Sequence, residues 1–309
     1  MTARAIVRGL LTFVVPSSLY NRSGGRTLSA RYCYSVYLRH VAMLHAAGLP
    51  TEAKTVAEIG PGESIGTGLA ALIAGAEQYY GFDIKDYGRH PDTLGLFDEI
   101  VALFRARAPI PGNGEFPTIK PVLASDDFPH AALPNARLTA SLDEYRIAKL
   151  RTALARGGDA APVKYAAPWF DAARVKKKSV DWIFSQAVME HIDDLPGTFR
   201  ACRQWLTDSG TMSHQIDYKS HGTAPAWNGH WLYSPLAWRC VRGARLYLVN
   251  RQPHSAYLRA LNDAGFRVVI EKRVTRDDGI ARAQLPKPYC ALPDEDLVTA
   301  GAFLAAQPA

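Results

Sequence analysis

A glycine-rich turn flanked by carboxylates runs from Glu58 to Gly62 and leads into a helical pattern. Gly60 and Gly62 permit a tight turn and let a ligand approach the backbone where a Cβ atom would collide with it. Asp83 follows Gly62 by 21 residues, at the end of the next apolar run. A carboxylate in that place can accept hydrogen bonds from both hydroxyls of a ribose. These residues therefore predict a site for a cofactor that contains a nucleoside.

The spacing of the glycines indicates which cofactor binds. A dinucleotide fingerprint, G-x-G-x-x-G, needs a third glycine that here falls late, at Gly66. Glu58 would repel a pyrophosphate, whereas it would attract the ammonium and sulfonium groups of S-adenosylmethionine. The pattern thus disfavours a nicotinamide-dependent dehydrogenase and favours S-adenosylmethionine.

Two segments carry a resemblance to a known family. The turn resembles motif I, E/D-x-G-x-G, of the class I S-adenosylmethionine-dependent methyltransferases, with Asp83 as its partner acid. Residues 179–192, SVDWIFSQAVMEHI, are similar to a segment of small-molecule and sugar methyltransferases in this class. Residues 213–217 and 227–231 resemble a narrower subgroup that is associated with sugar and polysaccharide biosynthesis. The resemblance spans roughly residues 55–217, apart from an insertion, together with the last helix and strand.

The resemblance implies a set of cofactor contacts at the carboxyl ends of the strands. The turn would line the methionine end, Asp83 would hold the ribose, and the end of the fourth strand would face the reactive methyl group. Many relatives place an aspartate beside the adenine after the third strand, but this chain has Ala-Ala-Pro-Trp there, so that Trp169 could stack on adenine instead. The implied cofactor-binding residues are Glu58, Gly60, Pro61, Gly62, Asp83, Ile84, Trp169, Ser185 and Gln186.

Methyl transfer to a hydroxyl requires a group that removes the hydroxyl proton. Polar residues near the predicted carboxyl edge of the sheet supply candidates, and we predict that His191, Asp217 and His230 are catalytic. His221 lies in the same aromatic loop as His230. Pairing with an aspartate would raise the basicity of a histidine and fix its tautomer. We predict no metal site, because the four cysteines show no C-x-x-C pair.

Composition sets limits on partners and location. The 309-residue chain is 48% hydrophobic and 21% charged, which is ordinary for a folded protein, and its net charge of +7 permits anionic partners. Arginines 239, 242, 245 and 251 could receive a phosphate on the acceptor. Isolated cysteines are typical of a reducing compartment, so we expect a cytoplasmic protein. Residues 5–15 are apolar but too short to span a bilayer, and either pack on the domain or touch a membrane surface.

Alternating strand and helix patterns predict an α/β fold. We expect a Rossmann-like, doubly wound, mostly parallel sheet of seven strands. An N-terminal helical segment would occupy residues 1–54 and the methyltransferase domain residues 55–290. The domain would contain a helical insertion after the second strand (87–162) and an aromatic acceptor loop (218–253), and a C-terminal helix would occupy residues 291–309.

These features together predict an S-adenosylmethionine-dependent methyltransferase that acts on a hydroxyl of a sugar or another polar small molecule. A nucleic-acid methyltransferase is an alternative that the basic charge permits. It is disfavoured because residues 185–188 lack the [N/D/S]-P-P-[Y/F/W] motif of amino-directed base methyltransferases. A catalytically inactive relative that binds the cofactor remains a third possibility, and the sequence does not indicate an oligomeric state.

Overall fold

The computed structural model describes residues 3–20, 27–86, 92–157, 162–169 and 172–309. Its strands form one seven-stranded sheet, which is mostly parallel and has one antiparallel hairpin at an edge. The strands are β1 (Thr55–Ile59), β2 (Gln78–Phe82), β3 (Val163–Ala166), β4 (Val180–Gln186), β5 (Leu206–Asp217), β6 (Phe266–Thr275) and β7 (Thr299–Pro308). They lie in the order β3-β2-β1-β4-β5-β7-β6, so the predicted Rossmann-like fold is confirmed.

In the described ranges, ten α-helices alternate with these strands or extend the chain between them. The helices are α1 (Ala3–Leu11), α2 (Ala30–Ala46), α3 (Gly66–Ile73), α4 (Thr93–Arg105), α5 (Asn135–Ser141), α6 (Glu144–Arg156), α7 (Leu195–Trp205), α8 (Pro235–Arg242), α9 (His254–Asp263) and α10 (Asp294–Val298). The segment between β2 and β3 contains α4, α5 and α6, as expected for a helical insertion. The segment expected to be an aromatic loop, residues 218–253, contains the helix α8. This helix was not predicted from the sequence.

The chain divides into two compact units. The larger unit consists of residues 23–186, 201–213 and 305–309, and the smaller unit consists of residues 1–22, 187–200 and 214–304. The larger unit contains strands β1 to β4 and the insertion. The smaller unit contains α1, α8, α9, β6 and the loop that follows β5.

Parallel pairing in the larger unit brings the carboxyl ends of β1 and β2 together. Thr55 pairs with Gln78 at one end of this ladder, and Ile59 pairs with Phe82 at the other. The residues that follow each strand, Gly60 and Asp83, therefore lie side by side. This register is the structural basis of the site predicted from the glycine turn.

A buried arginine of α2 holds the insertion in the larger unit. Arg39 is fully buried and donates from Nη1 to the Pro121 carbonyl at 2.6 Å and from Nη2 to the Pro111 carbonyl at 3.2 Å. A buried guanidinium group must satisfy its donors, since an unpaired one would be strongly destabilising. The carbonyls of the insertion therefore have a defined place against α2.

The prediction of a helix over residues 291–309 is wrong. Only Asp294–Val298 is helical, and Thr299–Pro308 forms β7 between β5 and β6. The first eight residues of β7 are buried, because a central strand is covered on both of its faces. Such a strand has no polar alternation, and its run of alanines is compatible with helix or strand until the neighbouring strands decide.

Helix α1 packs against α8 in the smaller unit. Gly9 allows the close approach, since a Cβ atom there would lie 1.9 Å from the Cys240 carbonyl oxygen. Apolar side chains of α1 and of the turn after it are exposed, and membrane contact through residues 5–15 stays a prediction. These exposed side chains are Val7, Leu10, Leu11, Phe13 and Val14. Among the described residues, no helix is long and apolar enough to cross a bilayer.

Replacing Gly9 with alanine tests the close contact between α1 and α8. Alanine favours an isolated helix by about 1 kcal/mol over glycine, but here its methyl group would overlap the α8 backbone. We therefore expect Gly9→Ala to lower the free energy of unfolding, by roughly 1–3 kcal/mol, in urea denaturation. Gly114→Ala is the control, because among the described residues beyond its chain neighbours no atom lies within 4 Å of where its Cβ would be. Equal stability of the two variants would contradict this packing.

Candidate active site

The glycine turn after β1 adopts the conformation that its residues predict. Gly60 and Gly62 have φ angles of 74° and 76°, in the left-handed region that favours glycine. The Gly60 amide donates to the Phe82 carbonyl at 2.7 Å, and the Gly62 amide donates to Oδ2 of Asp83 at 3.1 Å. The turn is therefore fixed by residues at the end of β2.

Asp83 forms several of the hydrogen bonds at the carboxyl ends of β1 and β2. Its side chain also accepts from the Ile84 amide at 2.7 Å, and its carbonyl accepts from the Trp169 amide at 3.1 Å. Burial raises the pKa of Asp83, while the amides of Gly62 and Ile84 act in the opposite direction. Each carboxylate oxygen has two lone pairs, so both can still accept a further bond from a ligand hydroxyl.

Glu58 lies in the interior of the larger unit and not on its surface. Its side chain is buried and accepts from the Tyr79 hydroxyl at 2.7 Å. Burial raises the pKa of Glu58 to about 8, although Tyr79 and Thr67 donate hydrogen bonds that lower it. The carboxyl group is therefore protonated near neutral pH in the free protein. Tyr79 was not predicted as part of the site, since nothing in its spacing distinguishes it from a core residue.

A segment ahead of α2 also contacts the turn. The Ser64 hydroxyl donates to the Thr27 carbonyl, and the Ser64 amide donates to the Thr27 hydroxyl at 3.2 Å. Gly66 fits against Cys33, because a Cβ atom there would come within 2.4 Å of its sulfur. These contacts were not predicted, since the sequence does not show that residues so far apart meet.

The remaining predicted cofactor contacts are partly engaged within the larger unit. Trp169 is half-buried and packs beside Phe82, with ring centroids 5.6 Å apart. Ser185 is fully buried. Gln186 lies at the end of β4, where its side-chain nitrogen donates to the Lys120 carbonyl at 2.9 Å and its oxygen lies 3.3 Å from Nε2 of His40. Gln186 therefore holds the insertion through the Lys120 carbonyl.

In the smaller unit, Asp217 at the end of β5 pairs with the neighbouring loop. Its Oδ2 lies 3.6 Å from Nε2 of His221 and 3.1 Å from Nζ of Lys219. Burial acts to raise the pKa of Asp217, but His221 and Lys219 outweigh it, so the pKa is lowered. The histidine that meets Asp217 is therefore His221, which was not among the three predicted catalytic residues.

His191 lies beside this pair. The rings of His191 and His221 have centroids 5.0 Å apart and meet edge to face. Burial, followed by the charge of His221, lowers the pKa of His191 to about 4. The structure thus brings two of the predicted catalytic residues, His191 and Asp217, into one cluster around His221.

Asn250 holds the backbone that carries His191. Its side-chain nitrogen donates to the Met189 carbonyl at 3.1 Å and to the Ile192 carbonyl at 2.8 Å, and its amide donates to the Glu190 carbonyl at 2.7 Å. These three bonds define the short 3-10 turn Met189–His191. Asn250 was not predicted, because a lone asparagine after an irregular stretch gives no distinctive pattern.

The third predicted catalytic residue, His230, lies in an aromatic cluster. It is buried, and its ring centroid lies 5.4 Å from that of Trp231. Burial, followed by the charge of Arg251, lowers the pKa of His230 to about 3. Trp227 and Trp231 are buried in the core with Leu285, and so do not present open faces to a sugar.

The arginines predicted to receive a phosphate are mostly engaged within the smaller unit. Arg242 forms a bidentate pair with Asp193, at 2.9 and 2.6 Å. Arg245 donates to the Val241 and Arg242 carbonyls near the end of α8, and Arg251 donates to the Tyr233 carbonyl and lies over Trp238. Arg239 is exposed. These contacts give no support to a phosphate site built from all four arginines.

A family comparison agrees with this geometry. Residues 37–271, more than half of the chain, match the model of a methyltransferase domain family. The chain therefore belongs to the methyltransferase domain family. It is a methyltransferase, and S-adenosylmethionine is its cofactor, as predicted. No curated protein matches the chain in sequence.

Solved structures with a similar fold share little sequence identity with the chain. An S-adenosylmethionine-dependent methyltransferase from Mesorhizobium loti is 14% identical, with 86% of this chain and 95% of that chain covered and a TM-score of 0.42. A methyltransferase of the same kind from Methanosarcina mazei is 12% identical, with 86% and 96% covered and a TM-score of 0.43. Geranyl diphosphate C-methyltransferase from Streptomyces coelicolor is also 12% identical, with 87% and 78% covered and a TM-score of 0.42.

The raised pKa of Glu58 leads to a prediction about cofactor binding. Since the free protein keeps this proton below about pH 8 and an ammonium group favours the carboxylate, binding of S-adenosylmethionine near pH 7 should release a proton. We expect the binding enthalpy from calorimetry to differ between phosphate and Tris buffers, in proportion to their ionisation enthalpies. Glu58→Gln, which keeps an acceptor for Tyr79, should remove the difference. Equal enthalpies for the unaltered protein in both buffers would place the methionine end away from Glu58.

Proposed function

We propose that this methyltransferase transfers the methyl group of S-adenosylmethionine to a hydroxyl of a sugar or another polar small molecule. The observation that carries the proposal is the Asp217–His221 pair with His191 beside it. An acceptor hydroxyl loses a proton as it is methylated, whereas a neutral amine can attack before it loses one. A carboxylate–imidazole pair supplies the proton acceptor that only the hydroxyl requires at this stage.

The chemistry of the step is an in-line displacement. The acceptor oxygen attacks the methyl carbon, the bond from that carbon to sulfur breaks, and S-adenosylhomocysteine leaves with the electron pair. The hydroxyl proton passes to the Asp217–His221 pair. Because the sulfonium is already a good leaving group, the protein contributes chiefly by alignment and by proton removal.

The polar character of the acceptor is supported by the side chains around the pair. Lys219 lies 3.1 Å from Asp217, and Asp217 and His221 each keep about 28% of their side-chain surface exposed. Exposed carboxylate, ammonium and imidazole groups offer hydrogen bonds to several hydroxyls at once, as a sugar requires. An apolar acceptor would displace water from these groups without replacing its hydrogen bonds, at a cost in binding free energy.

An acceptor screen with a methyl-labelled donor tests the proposal. The purified protein is incubated with labelled S-adenosylmethionine and, separately, free sugars, nucleotide-linked sugars, lipid-linked sugars, DNA and RNA. We expect label in one sugar class as a methyl ether, identified by mass spectrometry. Asp217→Asn and His221→Asn should reduce the rate by about 10²–10⁴-fold, since a general base contributes about that much. Cofactor binding should be unchanged in both variants.

Three outcomes would contradict the proposal. Label in a nucleic-acid base would favour the nucleic-acid methyltransferase, and label on nitrogen or carbon would contradict the hydroxyl acceptor. Cofactor binding without transfer to any class would favour an inactive relative. As a matched control, Asp208→Asn alters a surface carboxylate that pairs with Lys178 in the larger unit, and its rate should equal that of the unaltered protein.

A further inference from the structure

Glu190 carries a buried carboxyl group, and its side chain is 2% exposed. Burial raises the pKa of Glu190, while the backbone amides of Glu190 and Asp217 act in the opposite direction. Within the described part of the chain, neither Oε1 nor Oε2 has a hydrogen-bond partner. Leaving a buried carboxyl group in this state is costly, and unsatisfied groups of this kind mark places where a bound ion or water belongs.

Two imidazole rings share this location. One ligand atom each from Glu190, His191 and His221 lies within 4.8 Å of the other two. Nδ1 of His191 is buried and also has no hydrogen-bond partner among the residues that the structure describes. The cluster therefore combines one carboxyl group and two imidazoles. Three of its buried atoms have no hydrogen-bond partner within the described ranges.

We propose that Glu190, His191 and His221 bind one divalent transition-metal ion. Ligands of a tetrahedral zinc ion are about 3.4 Å apart, so a modest contraction of the cluster closes the site around an ion. Asn250 fixes the backbone of Glu190 and His191, so the two ligands start from defined positions. The ion would neutralise the buried carboxylate and fill the coordination of the unsatisfied atoms.

The donor set indicates the kind of ion. Imidazole nitrogens suit zinc, cobalt, nickel and iron, whereas magnesium and calcium prefer sites made entirely of oxygen. Asp217 beside His221 would orient that ring, which is the usual role of a carboxylate next to a metal-binding histidine. We therefore expect Zn²⁺ or Co²⁺ to bind more tightly than Mg²⁺. The site revises the prediction of no metal, which considered cysteines alone.

This inference rests on the proposed function and gives the two residues of the Asp217–His221 pair separate roles, His221 as a metal ligand and Asp217 as the proton acceptor. An ion held by His221 would bind the acceptor oxygen and make its proton more acidic. The proton would then pass to Asp217, which is not one of the three ligands. The oxygen would attack the methyl carbon as before, so the ion adds no oxidant, reductant or further reactant.

Metal titration of the complete chain tests the inference. The protein is treated with a chelator, dialysed, and titrated by calorimetry with Zn²⁺, Co²⁺ and Mg²⁺, and the Co²⁺ form is examined for ligand-field absorption. We expect one Zn²⁺ or Co²⁺ per chain. Glu190→Gln and His221→Ala should each weaken binding at least about tenfold. His45→Ala is the control, because His45 is exposed on α2 in the larger unit and should leave metal binding unchanged.

Binding of S-adenosylhomocysteine to every protein shows that the larger unit is folded and separates the two proposals. If the unaltered protein binds S-adenosylhomocysteine but neither Zn²⁺ nor Co²⁺, or if Glu190→Gln binds them as tightly, the metal site is wrong and the proposed function is unaffected. If the metal binds and no acceptor hydroxyl is methylated, the proposed function fails while the site stands.

Discussion

The hydrogen bond between the Asp83 carboxylate and the Gly62 amide is the contact that holds the glycine turn, the predicted cofactor site, against the end of β2. Parallel pairing of β1 and β2 brings the two strand ends together, and this bond then fixes the turn against the second strand. The same residue receives the Trp169 amide, so the chain after β3 is attached to it as well. Loss of the carboxylate would remove its bonds to the Gly62 and Ile84 amides, whereas the bond from the Trp169 amide to the Asp83 carbonyl would remain.

In the smaller unit, one residue likewise holds several backbone groups in place. Asn250 bonds to three successive parts of the turn Met189–His191 and thereby holds His191 beside His221. Side chains that are held in this way lose little conformational freedom when an acceptor or an ion binds, which is the advantage of a preorganised site. The cost is a buried carboxyl group at Glu190 whose oxygens have no partner within the described part of the chain.

Local patterns predicted the glycine turn, the place of Asp83, the helix after the turn and the helical insertion. Strand ends, glycine spacing and apolar periodicity are all visible within short segments of sequence. Local patterns failed at β7, where pairing with β5 and β6, together with burial, decides the conformation of an alanine-rich segment. They also missed Tyr79 at Glu58 and His221 at Asp217. The first is a long-range contact, and the second depends on the path of a loop that has no periodicity.

Calorimetric titration of the unaltered protein and Asp83→Ala with S-adenosylhomocysteine and with NAD tests the central claim most directly. Asp208→Ala, which removes a surface carboxylate, serves as the matched control. The account predicts that S-adenosylhomocysteine binds the unaltered protein and the control, that Asp83→Ala loses this binding, and that NAD binds none of them. Binding of NAD, or equal binding of S-adenosylhomocysteine to Asp83→Ala, would contradict the assignment of the glycine turn and Asp83 to the cofactor.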